Sequence, residues 1–214
     1  MSQGWKQSAR CTPRLIWIIA GLMSLSTGWA RPALAVGPQD RVREILAAVS
    51  AVMQDPQLQG SDHQMERKQR VRSIIVDAFD FAEMGRVALG AHWSRLTAEQ
   101  QTEFISLFGD LFERSYNRLV LRFLSERETV YGAVSHEQDR ATVQTTLVVR
   151  KTNEQLPVTY RLLDKGGQWA VFDVVVDGVS LALNYRAQFD KIIRSSSYDA
   201  LIQKIKSRLE QESS

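Results

Sequence analysis

The residues best suited to chemistry lie in the last third of the chain. Asp173 sits mid-run in Trp169-Ala170-Val171-Phe172-Asp173-Val174-Val175-Val176-Asp177-Gly178-Val179-Ser180, flanked almost entirely by apolar side chains. Burial of a carboxyl in such surroundings raises its pKa and creates a possible general base. Tyr160 in the preceding run is a candidate second partner. The other reading makes Asp173 a structural carboxylate. It would then pair with Arg161 or Arg186, or hydrogen-bond the start of the helix near Ser180. Residue types alone leave both open. Asp177 is the other acidic residue in this run with a claim to such a role.

Other chemistries find less support. His63, His92 and His136 are isolated, without the spacing of a zinc site, so no metal is expected. Gly85 and Gly90 have the spacing of a phosphate loop, but Ala91 follows where that loop needs lysine. Gly178-Val179-Ser180 lacks the second glycine of a nucleophile elbow, and Ser180 suits a helix N-cap better. No catalytic residue and no cofactor are assigned.

Residues 1–35 have the form of an export signal. Lys6, Arg10 and Arg14 make a cationic start, an apolar run follows from Leu15 to Leu25, and Ala33-Leu34-Ala35 offers a small-x-small cleavage site. The uncharged stretch of residues 15–30 falls short of the roughly 20 residues that span a bilayer, which argues against an anchor. The leader holds four basic and no acidic residues, so without it the 27 basic residues fall to 23 against 24 acidic, a net charge of −1. The basic character of the full sequence is thus a property of the leader. The remainder has no charge excess to draw it to nucleic acid or anionic membrane. Cys11, the single cysteine, leaves with the leader and takes thiol chemistry with it.

Residues 36–214 suit one domain with a sizeable core. Val42, Ile45, Leu46, Val49 and Val52 recur at helical spacing. Ser61 with Gln64, Asp80 with Glu83 and Thr97 with Gln100 have capping-box spacing and open three further helices. Gly90 ends the third. The long fourth helix carries Phe104, Leu107, Phe108, Leu111, Phe112, Leu119, Val120 and Phe123 on one broad face. Strands follow. Residues 129–135 form a weak one, and Ala141, Val143, Thr145, Leu147 and Val149 alternate with polar residues as in a half-buried strand. Asn153-Glu154 turns into residues 158–163, and Gly166-Gly167 makes a hairpin into residues 169–176, a strand apolar enough to be covered on both faces. Two helices close the chain, capped by Ser180 and Ser197. Helices, three or four antiparallel strands, then helices again is an α+β order.

Two stretches carry a family resemblance. The first is Phe79-Asp80-Phe81-Ala82-Glu83-Met84-Gly85-Arg86-Val87-Ala88-Leu89-Gly90-Ala91-His92-Trp93. The second is W-x-V-x-D-V-x-V-x-G-V-S from Trp169 to Ser180, followed by Asn184-Tyr185-Arg186-Ala187-Gln188-Phe189. Together they resemble the MlaC-type periplasmic phospholipid-binding proteins, the toluene-tolerance family of the Mla ABC transport system, across roughly residues 40–210. The resemblance implies a curved antiparallel sheet of about four strands embraced by helices, an NTF2-like cone with additional helices. It also favours the structural reading of Asp173 and a protein that is not an enzyme.

What the family implies for function is a soluble, monomeric periplasmic carrier. It would hold phospholipid in an apolar pocket and shuttle it between outer-membrane lipoprotein and inner-membrane ABC transporter complexes, maintaining outer-membrane lipid asymmetry. A carrier of another lipid, such as a hopanoid, is the alternative within the fold. The alternative of another class is a small NTF2-like enzyme acting on a hydrophobic substrate with Asp173 as base, since enzymes of that cone fold use an aspartate and a tyrosine, here Tyr160. A two-chain lipid with roughly 30 methylenes, each worth about 0.8 kcal/mol, would lose on the order of 20 kcal/mol crossing water bare. A dry pocket replaces most of that cost with protein contacts. Any α+β domain has apolar core residues, so the pocket itself comes from the resemblance. Its expected walls are Phe81, Met84, Phe104, Phe108, Leu111 and Phe112 on the helices, facing Val143, Leu147, Val149, Tyr160, Leu162 and Trp169 on the sheet. Cleavage is expected between Ala35 and Val36. N-terminal sequencing of protein recovered from the periplasm checks this, and a chain that retains Met1 contradicts it.

Overall fold

The computed structural model describes residues 36–124, 127–149 and 152–211. The leader lies outside them, as do the side chains of Leu119, Val120 and Phe123. Helices α1 (Pro38–Gln54), α2 (Gln64–Ala78), α3 (Phe81–Leu89) and α4 (Ala98–Leu124) precede the sheet, and α5 (Leu181–Ser195) and α6 (Tyr198–Gln211) follow it. Between them lie β1 (Arg127–Glu137), β2 (Arg140–Val149), β3 (Gln155–Asp164), β4 (Trp169–Val176) and the two-residue β5 (Val179–Ser180).

Local chemistry sets most of the helix boundaries. Pro38 opens α1, where its missing N–H costs nothing. The Asp80 carboxylate accepts from the Ala82 and Glu83 N–H groups and starts α3. Thr97 and Gln100 form a reciprocal capping box at α4: the Thr97 N–H donates to Gln100 Oε1 at 3.0 Å and the Gln100 N–H to Thr97 Oγ1 at 3.3 Å. Ser180 and Ser197 accept from Leu183 and Ala200 N–H groups. The Ser61–Gln64 box expected for α2 does not form. Ser61 donates instead to the Asp62 carboxylate, and α2 begins only after His63, which offers no side-chain cap. The Ser61 carbonyl takes the Gln64 N–H, so these residues make a turn leading into the helix.

The strands form an open antiparallel meander in the order β1-β2-β3-β4-β5. Asn153 and the Gly166-Gly167 pair adopt positive φ at their turns, as do Asp177 and Gly178 in the two-residue turn before β5. β1 is longer than its sequence suggests. A register shift between Tyr131 and Val134 breaks its alternation at Gly132-Ala133, and as an edge strand it leaves most of its side chains in water. Beyond β4, Phe79 lies parallel to Val171, and the Asp80 N–H donates to the Val171 carbonyl at 2.8 Å. The chain between α2 and α3 therefore covers part of the β4 edge.

Polar ties hold the helices to the sheet. Arg41 of α1 donates to the carbonyls of Trp169 at 3.2 Å and Asp77 at 3.4 Å, joining α1, the end of α2 and the start of β4. Lys165 at the β3–β4 hairpin meets Asp80 at 2.9 Å. Glu83 of α3 receives Arg86 at 2.6 Å and Arg140 of β2 at 2.5 Å. The Arg86 hydrogen bonds hold the Glu83 carboxyl below its ordinary value; burial opposes them and Arg140 reinforces them. A folded-state pKa below the unfolded one gives stability that is present above the unfolded value and lost as pH falls through the folded value.

Two outcomes follow for stability. Glu83→Gln lowers stability at pH 7 and removes part of its decline below about pH 4.5, as read by urea midpoints across that range. Gly90 ends α3 at φ 54 and ψ −125, and a Cβ there would lie 2.6 Å from Arg186 Nε. Gly90→Ala then costs roughly 1–3 kcal/mol of unfolding free energy. Adding Arg186→Ala removes the contact but not the backbone strain, so the double variant stays destabilised relative to Arg186→Ala alone.

Candidate functional site

The strand register decides which side chains share a surface. Val143 stands opposite Tyr160, which stands opposite Val174. Thr145 stands between Tyr131 and Val158, and Val158 opposite Val176. Ala141 faces Leu162, Leu162 faces Val171, Leu147 faces Leu156, and Asp164 faces Trp169. Side chains two residues apart along a strand project to the same side. Val143, Leu147, Val149, Tyr160, Leu162 and Trp169 therefore lie on one face, together with Tyr131, Leu156, Val158, Val171, Val174 and Val176.

That face is unevenly covered. Val42 and Leu46 of α1 seal one part, packing with Val143, Leu162 and Val171, all 8% exposed or less. Around this seal, Ile45, Phe79, Tyr131, Tyr160, Trp169 and Val174 touch the cluster while remaining only partly buried. Val149, Leu156 and Val176 are also half-buried. Tyr160 shows what this means. Loss of hydration pushes its phenol well above the ordinary value, the Tyr131 phenol adds to the rise and the Thr145 hydroxyl opposes it. Tyr160 is thus largely desolvated on the partly covered face. Tyr160 is no ready acid or base at neutral pH.

The helical candidates lie in a different cluster. Met84, Phe104, Phe108, Leu111 and Phe112 pack with Tyr185 and Phe189 of α5 and with Leu201, Ile202, Ile205 and Leu209 of α6. Phe104 and Phe108 are fully buried. Their rings stack at 5.4 Å between centroids, and Phe108 meets Tyr185 edge-on at 5.0 Å and Phe189 at 5.8 Å. Gly85 permits this closeness, since a Cβ there would stand 3.2 Å from the Phe104 ring. Phe81 is partly buried, beside Phe79 and Phe112. Phe79 packs against this cluster, the sheet-face cluster and the α1–α2 cluster of Val49, Val71 and Ile75. It is the junction between the two halves of the expected wall. Its position against Val171 comes from a bridge between distant parts of the chain, for which sequence spacing holds no signal. Leu156, Val174 and Val176 are recoverable from strand alternation once the register is known.

Asp173 is on the opposite face, and its oxygens are occupied. Oδ2 accepts from Ser180 Oγ at 2.7 Å and from the Arg161 guanidinium at 3.2 Å; Oδ1 accepts from the Ala182 N–H at 3.0 Å. It is fully buried and holds the first turn of α5 against β4. This is the structural reading, with Arg161 as partner; Arg186 lies against Gly90 instead. Tyr160 projects away from Asp173, so the two do not form an acid–base pair. Asp177 occupies the exposed β4–β5 turn. The histidines are apart: His63 is near Glu66, His92 Nε2 donates to the Asp190 carboxylate at 2.8 Å, and His136 meets the Trp169 ring. Among the described residues no three His, Cys, Asp or Glu side chains converge on a metal position, and no helix is long and apolar enough to cross a membrane.

Comparison with known proteins adds to this geometry. Residues 43–207 match the family model described as MlaC protein. The chain belongs to the MlaC family. It is 23% identical over 139 residues to the intermembrane phospholipid transport system binding protein MlaC of Haemophilus influenzae, covering 63% of this chain and 64% of that protein. It is 28% identical over 130 residues to toluene tolerance protein Ttg2D of Pseudomonas putida, covering 61% and 59%. The chain thus spans less than two thirds of either relative's length. Its fold matches the phospholipid-binding protein from Ralstonia solanacearum, solved in complex with a phospholipid, with a TM-score of 0.69 at 25% identity over 82% of this chain and 98% of that one. The MlaC family fold expected from the two motifs is therefore present, with the five-stranded open sheet described above.

Replacing Asp173 by Asn leaves Arg161 without its charged partner and weakens the hold on α5. Asp173→Asn costs roughly 1–3 kcal/mol, measured by thermal or urea unfolding. Wild-type stability together with loss of a turnover shown by the parent protein would restore the catalytic reading.

Proposed function

We propose that this protein is a phospholipid carrier and that acyl chains lie along the partly covered face of the sheet. The observation that carries the reading is the set of half-buried apolar residues on this face, Tyr131, Val149, Leu156, Tyr160, Trp169, Val174 and Val176, beside a sealed core. The phospholipid held by the Ralstonia solanacearum protein of the same fold supports it, as does family membership. The expected helical walls Phe104, Phe108 and Met84 are already enclosed by neighbouring side chains, so the proposal weights the sheet-side residues, with Phe79 and Phe81 at the boundary.

The same reading makes the protein a binding component without catalytic groups of its own, with phospholipid as cargo. Residues 1–35 act as a cleaved export signal, and residues 36–214 work as one lipid-binding domain in the periplasm. A carrier must also release its cargo, so donor and acceptor must supply differential affinity. The transport-system name of the Haemophilus influenzae relative supports membrane complexes in those roles, an ABC transporter at the inner membrane and a lipoprotein complex at the outer membrane.

Two measurements test this. Solvent extraction and mass spectrometry of purified protein should return near-stoichiometric phospholipid. A hopanoid would change the cargo, and an empty extract would contradict the carrier. Val174→Trp fills part of the recess from a half-buried position, so it lowers bound phosphorus per protein while the delipidated melting temperature holds or rises. In a close-packed core the same change costs roughly 1–3 kcal/mol through overpacking. Retained lipid with a lowered melting temperature would make Val174 ordinary core.

A further inference from the structure

At the border of this apolar face stands a cation, Arg43, that makes no salt bridge among the described residues. Arg43 is exposed on α1, next to Val42, whose side chain seals the sheet. Its guanidinium lies 4.4 Å over the ring centroid of Tyr131. The adjacent Glu44 pairs with Arg41, and no salt bridge to Arg43 is present among the described residues. Tyr131 itself belongs to the sheet face, half-buried and touching the cluster of Val143, Leu162 and Val171. Burial raises its phenol and the Arg43 charge opposes that rise, so the cation's field reaches the hydroxyl. Diagonally across β2 stands Tyr160, with Thr145 between the two.

This is the placement an amphiphile requires. Chains lying on the face put their polar end where the apolar surface meets water, and the Arg43–Tyr131 pair is at that border. A guanidinium offers several N–H donors in a planar fork matched to phosphate oxygens, and stacking on an aromatic ring pre-orders it at little entropic cost. A phosphodiester is anionic at any pH at which the protein is folded, so the match does not depend on titration.

We propose that Arg43, held over Tyr131, binds the phosphate of the carried lipid, which makes the carrier selective for phosphate-bearing lipids over neutral lipids with the same chains. The assignment rests on the carrier reading above. Residues elsewhere on the face measure chain volume; Arg43 reads the head.

The test uses delipidated protein of residues 36–214 and two probes with identical palmitoyl and oleoyl chains, a phosphatidylglycerol and a diacylglycerol. Competition between them in mixed vesicles gives the preference of wild type, Arg43→Gln and Arg43→Lys. Arg43→Gln should bind lipid yet lose roughly three- to tenfold of the preference for phosphatidylglycerol, the range for one charged contact at a water-exposed border. Arg43→Lys should recover part of it, and the wild-type preference should fall with added salt. Inorganic phosphate, compared with chloride at equal ionic strength, should not compete, because without chains nothing brings it to the site. An unchanged preference in Arg43→Gln overturns the Arg43 assignment and leaves the carrier intact. Competition by inorganic phosphate makes the position a free-anion site and overturns it also. Wild type that binds neither probe overturns the carrier reading and this assignment with it.

Discussion

The Asp173 carboxylate divides the sheet into two surfaces with different tasks. By accepting from Ser180, Ala182 and Arg161 it fixes the start of α5 on one side of β4. The polar contacts of that junction lie on this side. The other face carries Val, Leu, Tyr and Trp side chains beside a few polar ones such as Thr145 and Asp164. A buried carboxylate is costly unless its hydrogen bonds are complete. Here two hydroxyl or amide donors and one guanidinium complete them, and the short β4–turn–β5–α5 run of the sequence brings two of the three within nine residues.

The helical layer gains its firmness separately. The rings of Phe104, Phe108, Tyr185 and Phe189 interlock edge to face around α4 and α5, and α6 closes over them. A cluster so filled serves as a rigid support. The sheet face is filled only where α1 reaches it. The proposed binding rests on this unevenness: protein atoms cover Val143 and Leu162 completely and leave Tyr160, Trp169 and Val174 partly open. Phe79 couples the two regions, since it touches both clusters and lies against the edge of β4.

The caps, the strand alternation and the hairpin glycines were legible in the sequence because each is a local physical demand. Thr97 with Gln100 and Asp80 with its following N–H groups announce helix starts through hydrogen bonds spanning three residues. Ser61 with Gln64 carries the same signal and misleads, because the hydroxyl of Ser61 finds the neighbouring Asp62 carboxylate first. The six sheet-side candidates were recoverable from period-two spacing, and the register unites them on one face. The helical candidates show the limit of such reading. Phe104 and Phe108 sit on the apolar face of α4, but periodicity says only that this face is buried, not whether it turns toward the sheet or toward α5 and α6. Arg43 over Tyr131 depends on a contact between α1 and an edge strand some 90 residues later in the chain, which no spacing rule contains.

Tryptophan fluorescence separates the two regions directly. Residues 36–214 contain two tryptophans, Trp169 on the sheet face and Trp93 packed against the helical cluster. Trp93→Phe and Trp169→Phe variants, each loaded with phospholipid whose acyl chains carry bromine, report which cluster the chains approach. Strong quenching in Trp93→Phe, where Trp169 is the sole emitter, and weak quenching in Trp169→Phe is the result expected of chains lying along the sheet. The reverse order would place the chains among the helices and contradict the account.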